Sequence, residues 1–340
     1  METGSTASIR RHLLKWRTLV LKTLFMVLLA VLVLVVATTL WRVGQNAKRA
    51  LNQFPPQGEF VEVDGHPVHY VELGAKTDDK PTLVLIHGAS GNTRDFTMGL
   101  AEKLAQSYRV IMFDRPGLGY TPQLAAFGVS IVDQANLLAS AAVLLGADRP
   151  IVAGQSFGGS IAMAWAVARP ENIAAAVSLA GATHPWEGEI DALTGNLAHP
   201  IIGPALSRLA SAWVSPDYVA DSVRGTFSPQ QPLDGYAEHI GIPLILRPSS
   251  LMANARQRDT LKEDLRALST QYHTLNLPLE IVHGDADTIV PLKVHSARLI
   301  QEVAGANLVT IKGLGHMPQH LNHNDVIAAI DRAAVRAGLR

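Results

Sequence analysis

Two five-residue runs, Thr82–Ile86 (TLVLI) and Arg109–Phe113 (RVIMF), show no alternation of polar and apolar residues. A strand buried on both faces reads this way, and strands of that kind belong to parallel sheets covered by helices on either side. The rest of the chain beyond residue 59 keeps the same texture. Phe60–Asp64 and Val68–Leu73 alternate and are joined by Gly65-His66-Pro67, which predicts a hairpin at an antiparallel edge. Asn92–Gln106 reads as helix. Ser130–Leu145 is a stronger one, with Ser130 as N-cap, Asp133 three residues on and Gly146 as terminator. Strand Ile151–Ala153, helix Phe157–Ala168, strand Ala174–Leu179, strands Leu279–His283 and Leu308–Ile311, and helix Asn324–Ala337 follow. This alternation predicts an α/β fold with a mostly parallel central sheet and helices on both faces.

Residues 183–275 break the rhythm. They are rich in Pro and Gly, carry one helical stretch at Ser249–Gln271 and show no clear strand. A helical cap inserted into the sheet domain accounts for them. The core is then 59–182 together with 276–340, and the 340-residue length suits one such catalytic domain plus an additional segment.

That segment is N-terminal. From Thr23 to Trp41 no charge interrupts an apolar run, and its nineteen residues span roughly 28 Å as a helix, close to the bilayer core of about 30 Å. Trp16 and Trp41 stand near the ends, where interfacial aromatics are expected. Arg10, Arg11, Lys15, Arg17 and Lys22 precede or enter the run, against Arg42, Lys48 and Arg49 after it. This excess predicts a basic cytoplasmic N-terminus over 1–18, a transmembrane anchor over 19–41, and a catalytic domain on the outer face. A cleaved signal peptide is the competing reading, but its apolar core would be shorter and its cleavage site better formed. Residues 42–58, with Gln45, Asn46, Asn52, Pro55, Pro56 and Gly58, read as a polar linker.

Charge and cysteine content narrow the function classes. Lys and Arg number 29, as do Asp and Glu, so nothing suggests a nucleic-acid partner. The absence of cysteine excludes thiol nucleophiles, thiolate metal sites and disulfides, and suits an oxidising compartment.

The chemistry gathers at strand ends. Gly154-Gln155-Ser156-Phe157-Gly158 lies between a predicted strand and a predicted helix, the context of a nucleophile elbow. The turn is sharp enough to demand glycine at its flanks, and it lifts Ser156 to a helix N-terminus that favours developing negative charge. His87-Gly88-Ala89-Ser90-Gly91 follows TLVLI and can turn a backbone N–H toward the serine. The expected oxyanion hole is therefore the N–H groups of Ala89 and Phe157. Of thirteen histidines, His316 in Gly313-Leu314-Gly315-His316 follows the last strand and is the expected base. The run His316, His320, His323 has no carboxylate ligand set around it, so a metal site is not expected, and His320 and His323 read as surface or helix-start residues. In His283-Gly284-Asp285-Ala286-Asp287 two carboxylates compete; Asp287 is the expected orienter and Asp285 a turn former. The order Ser156, Asp287, His316 then runs along the chain, and the loop Ala180–Thr183 offers no competing acid.

With HGASG at 87–91, FDRPGLGYT at 113–121, GQSFGG at 154–159, HGDADTIVP at 283–291 and GLGHMPQH at 313–320, the chain resembles the α/β-hydrolase superfamily over roughly 60–180 and 277–335. The DRPGLGYT segment is similar to a capped branch that holds epoxide hydrolases, haloalkane dehalogenases, haloperoxidase-like enzymes and C–C bond hydrolases. The first two use an aspartate nucleophile, and Ser156 stands against both. Ala89 replaces the asparagine that dehalogenases tend to place there, and Leu321 stands where relatives often carry a glutamate.

These readings predict a membrane-anchored serine hydrolase acting on small-molecule carboxylic esters through an acyl-enzyme, with no metal or organic cofactor. The alternatives are serine-dependent C–C hydrolysis, acyl transfer or perhydrolysis on the same fold, and a non-catalytic binding protein. Cap residues such as Trp186, Leu193, Ile201, Ile202, Trp213, Phe227 and Leu244 are candidates to line an apolar pocket, which with the anchor favours apolar esters.

Overall fold

A computed structural model describes residues 3–77, 80–124 and 129–340. Residues 1–2 of the expected basic segment, and 78–79 and 125–128 of the expected core, lie outside the described residues.

Among the described residues eight strands form one sheet in the order β1-β2-β4-β3-β5-β6-β7-β8. They are β1 (Glu59–Val63), β2 (His66–Leu73), β3 (Thr82–Ile86), β4 (Arg109–Phe113), β5 (Ile151–Gln155), β6 (Ala175–Leu179), β7 (Leu279–Gly284) and β8 (Asn307–Ile311). The β1–β2 hairpin is antiparallel and β2 lies antiparallel to β4; from β4 to β8 every pairing is parallel. The sheet thus has the predicted character, with its antiparallel edge at the hairpin.

Strand periodicity divides the core into two layers. Val84, Ile86, Ile111 and Phe113 point to one face and pack with Ile131 and Leu138 of α3 (Ile131–Leu144) and Ile161 and Trp165 of α4 (Phe157–Ala168). Leu83, Leu85, Val110 and Met112 point to the other and pack with Leu100 and Leu104 of α2 (Leu100–Leu104) and Val326 and Ile330 of α13 (His323–Arg336). Ser130 caps α3 by accepting from the Asp133 N–H, and the Asp133 carboxylate returns a bond to the Ser130 N–H. The helix expected over 92–106 is instead a 3₁₀ turn at Thr93–Asp95 followed by α2. Gly99, at φ 97°, separates the two, a conformation that glycine adopts without a Cβ penalty.

The cap between β6 and β7 is helical, as expected: α5 (Ala192–Ala198), α6 (Gly203–Trp213), α7 (Pro216–Phe227), α8 (Tyr236–His239), α9 (Ile242–Ile245) and α10 (Pro248–Ser269). After β7 come α11 (Ser296–Glu302) and α12 (Pro318–Leu321). Phe227 and Leu244 are buried, whereas Leu193, Ile201, Ile202 and Trp213 are exposed.

Helix α1 (Thr3–Gln53) carries the apolar run, and its large side chains from Leu13 to Trp41 stand exposed along it. The hydroxyls of Thr18, Thr23 and Thr39 donate to the carbonyls four residues earlier, which satisfies them without water. It is long and apolar enough to cross a membrane. The linker expected over 42–58 is helical as far as Gln53. Ala47, Lys48, Arg49, Ala50 and Leu51 favour helix, and the first proline comes only at 55. This extension, together with Thr39 at the end of the expected anchor, docks on the protein: Asn46 Nδ2 donates to Ser211 O at 2.9 Å, Trp213 Nε1 to Thr39 Oγ1 at 3.0 Å, and the Arg42 guanidinium lies 4.2 Å from the Trp213 ring centre.

Candidate active site

Ser156 occupies the tight turn between β5 and α4 with φ 54° and ψ −117°, a strained conformation for a residue with a side chain. Its neighbours show why glycine is required. A Cβ on Gly154 would lie 2.0 Å from Gly158 O, and one on Gly158 would lie 2.0 Å from Ile86 O. Ser156 is fixed by its own backbone: its N–H donates to Leu179 O at 3.0 Å, and its carbonyl accepts from Gly159 N and Ala182 N at 3.0 and 3.1 Å.

The loop after β3 lies against this turn, so close that a Cβ on Gly88 would stand 3.1 Å from Ser156 Cβ. Among the described residues neither Ala89 N–H nor Phe157 N–H has a hydrogen-bond partner. Phe157 opens α4, where such N–H groups are free to receive an anion. The loop is anchored by His87. Its Nε2 accepts from Arg115 N at 3.1 Å and its Nδ1–H donates to Gly88 O at 2.9 Å, which fixes a neutral ring. Burial, aided by the Arg115 charge, lowers the His87 pKa to about 4.

His316 and Asp287 are brought together: Nδ1 of the ring lies 2.7 Å from Asp287 Oδ2, and both side chains are buried. Asp287 is fully engaged. Its Oδ1 accepts from the N–H groups of Ile289 and Val290 at 2.9 Å each, and its Oδ2 also accepts from His283 Nε2 at 3.1 Å. Burial pushes this carboxyl upward, but the bonds from His283, His316 and Val290 N and the His316 charge outweigh it and hold it well below the usual carboxylate range. Asp285 is exposed and accepts from Gly313 N–H at 2.6 Å, so that its side chain ties the loop after β7 to the loop after β8 rather than bonding within its own turn. Among the described residues no hydrogen bond joins Ser156 Oγ to His316 Nε2, a contact that often closes only around substrate. His316 Nε2 lies instead 3.4 Å from Gln155 Nε2, which also donates to His316 O at 3.2 Å.

Sequence reasoning missed several of these groups. His283 was visible only as part of a motif, and its bond to Asp287 depends on a spacing of four residues folded through a turn. Gln155 sits in the variable position of the elbow. His320 is a correction: it is not a surface residue but buried, with Nε2 2.9 Å from Asp95 Oδ1 and Tyr236 OH on the same oxygen at 3.1 Å. Its burial follows from α12 folding back under the cap, where its ring meets Phe227 and Tyr236. His323 opens α13 as expected.

Known proteins place this geometry in context. A 2-hydroxy-6-oxononadienedioate/2-hydroxy-6-oxononatrienedioate hydrolase of Pseudomonas putida is 25% identical over 269 residues, covering 74% of this chain and 86% of its own. The crystal structure of a membrane phospholipase A superposes with a TM-score of 0.65 at 21% identity, over 93% of this chain and 99% of that one. An esterase from Thermogutta terrifontis superposes with a TM-score of 0.66 at 19% identity, over 82% and 99% of the two chains. At such identities the two structural likenesses speak to the fold alone. The family model for the alpha/beta hydrolase fold matches residues 81–323, from the strand that carries the Ala89 loop to beyond His316, and the chain belongs to that family.

Proposed function

We propose that the protein is a membrane-anchored serine hydrolase that cleaves apolar carboxylic esters. The observation that carries this reading is the buried Asp287–His316 pair, 2.7 Å apart, set beside a serine held in a strained elbow. In this reading His316 Nε2 takes the Ser156 proton as Oγ attacks the ester carbonyl. Asp287 accepts from Nδ1–H, so Nε2 carries the lone pair, and its charge stabilises the imidazolium that forms. The unpartnered N–H groups of Ala89 and Phe157 receive the oxyanion. His316 then protonates the leaving alcohol, and water attacking the acyl-Ser156 ester frees the acid by the same path and restores the serine. Every step is a proton transfer or an addition–elimination at one carbonyl.

The long apolar helix supports esters that partition into a bilayer. The curated relatives named for C–C bond hydrolysis supply the second reading, because the same serine machinery serves a vinylogous diketone. A fluorophosphonate should add once to wild-type protein in detergent and not to Ser156→Ala. p-Nitrophenyl esters should be turned over with a loss of about 10³-fold or more in Ser156→Ala. Folded wild type that takes no adduct sinks the serine reading, and faster turnover of a vinylogous 1,5-diketone than of any ester replaces it with the second.

Acid should unfold the site. The unfolded chain protonates His87 near its ordinary pKa of 6.5, while the folded chain resists until about 4. Between these values the unfolded state binds more protons, so stability present above about pH 6.5 is lost as pH falls toward 4. Thermal midpoints in detergent should be level from pH 8 to 7 and fall steadily from 6.5 to 4.5; a flat profile to 4.5 contradicts the neutral buried ring.

The basic flank supports an N-terminus in the cytoplasm and a catalytic domain outside it. Because the chain has no cysteine, Glu187→Cys introduces a single thiol on an exposed cap position. A membrane-impermeant maleimide should label it in intact cells or spheroplasts; labelling that requires lysis reverses the orientation.

A further inference from the structure

The residues on both sides of Ala89 are tied to the cap, Ser90 directly and Gly88 through Arg115. Ser90 has φ 52°, a left-handed conformation unfavourable to a residue with a Cβ, so something outside the loop must hold it there. That group is Asn254 on α10. Its Oδ1 accepts from Ser90 N at 2.8 Å and its Nδ2 donates to Ser90 Oγ at 3.0 Å. One turn further along α10, Gln257 Oε1 accepts from Arg115 Nη2 at 2.5 Å while Gln257 Nε2 donates to Pro116 O at 2.7 Å. Arg115 in turn donates from Nη1 to Gly88 O at 2.9 Å, and its guanidinium lies 3.8 Å from the ring centre of Phe157. Gly88 and Ser90 flank one expected oxyanion donor, and Phe157 is the other. Arg115 is fully buried and forms no ion pair among the described residues, so its orientation is set by neutral acceptors, one of them from the cap.

We infer that Asn254 and Gln257 are positioning residues for the oxyanion hole, so that the cap completes the catalytic machinery as well as covering it. The inference rests on the Ser156 reading above. With α10 withdrawn, Ser90 loses both bonds that hold it at positive φ, the loop relaxes, and the Ala89 N–H turns from the site of the oxyanion. Closure of the cap and assembly of the hole are then one event, a form of induced fit in which binding organises the catalytic groups.

The test uses the full chain in detergent, with p-nitrophenyl butyrate as substrate and butylboronic acid as the transition-state mimic. Asn254→Ala removes the clasp and should lower kcat by about 10- to 100-fold, less than or at the edge of the loss from deleting an oxyanion donor outright. KM should stay within about two-fold, and the boronate Ki should rise by a factor similar to the fall in kcat/KM. Asn254→Asp keeps an acceptor for Ser90 N–H, with its second oxygen free to accept from a rotated Ser90 hydroxyl, and should recover kcat to within about three-fold of wild type. A purely structural role would instead lower the thermal midpoint while leaving boronate affinity of the folded fraction unchanged. Unchanged kcat in Asn254→Ala, a loss confined to KM, or a boronate Ki that does not move overturns the inference. Should Asn254→Ala fail to fold, Ser90→Ala deletes only the hydroxyl half of the clasp and should still cost about three-fold in kcat; no change there overturns it equally. Wild type that takes no fluorophosphonate adduct sinks the Ser156 reading and this inference together, whereas labelled wild type with a fully active Asn254→Ala sinks the inference alone.

Discussion

The site depends on the close approach of three backbones at the ends of β3, β5 and β6. A Cβ on Gly158 would fall 2.0 Å from Ile86 O, and one on Gly159 would fall 2.6 Å from Gly181 Cα. No side chain fits there, so the start of α4 is pressed directly onto the two neighbouring strand ends. Ser156 is carried into an otherwise unfavourable turn as a result. A strained φ of this kind costs on the order of 1–3 kcal/mol. Three backbone hydrogen bonds at Ser156, at about 1 kcal/mol each, are of the size needed to offset it. The same contact brings the loop after β3 beside the serine, so elbow and loop cannot be placed independently.

Around this contact the interior is unusually polar, and each charge is settled in a different way. Asp287 is stabilised as an anion by four donors. Asp95 is held low against its burial by His320 and Tyr236. Among the described residues Arg115 has no carboxylate to answer it; burial lowers its pKa to about 9, and neutral oxygens with the Phe157 ring take the place of a counter-ion.

The legible parts of the sequence were those set by local rules. TLVLI and RVIMF give β3 and β4 at their observed bounds, because a strand buried on both faces has no polar side to blur its ends. Gly154 could be read for the same reason, since its Cβ would meet Gly158 O only four residues on. What escaped was non-local. His320 looks like any helix-start histidine until Asp95, some 225 positions away, is placed against it. Asn254 and Gln257 are polar residues on a long helix, and nothing in their spacing reveals that they reach the loop after β3. The helical stretch past Trp41 was hidden by its polar composition, which is that of a linker until it is seen to lie against α6.

That last packing constrains how the cap can move. Helix α1 holds the cap through Asn46 and Thr39, and the residues that follow hold the core: Tyr120 OH donates to Phe54 O, and Arg94 Nη2 donates to Pro55 O at 2.9 Å. One continuous segment therefore bridges both bodies. A cap swinging as a rigid unit about its two connections to the sheet would have to break its contacts with α1 or carry α1 along. Whatever tilts or displaces α1 against the domain, a bilayer included, then acts on α6, against which α10 packs, and through α10 on the loop that bears Ala89. Helix α1 is thus linked, through α6 and α10, to the loop after β3 that Asn254 holds.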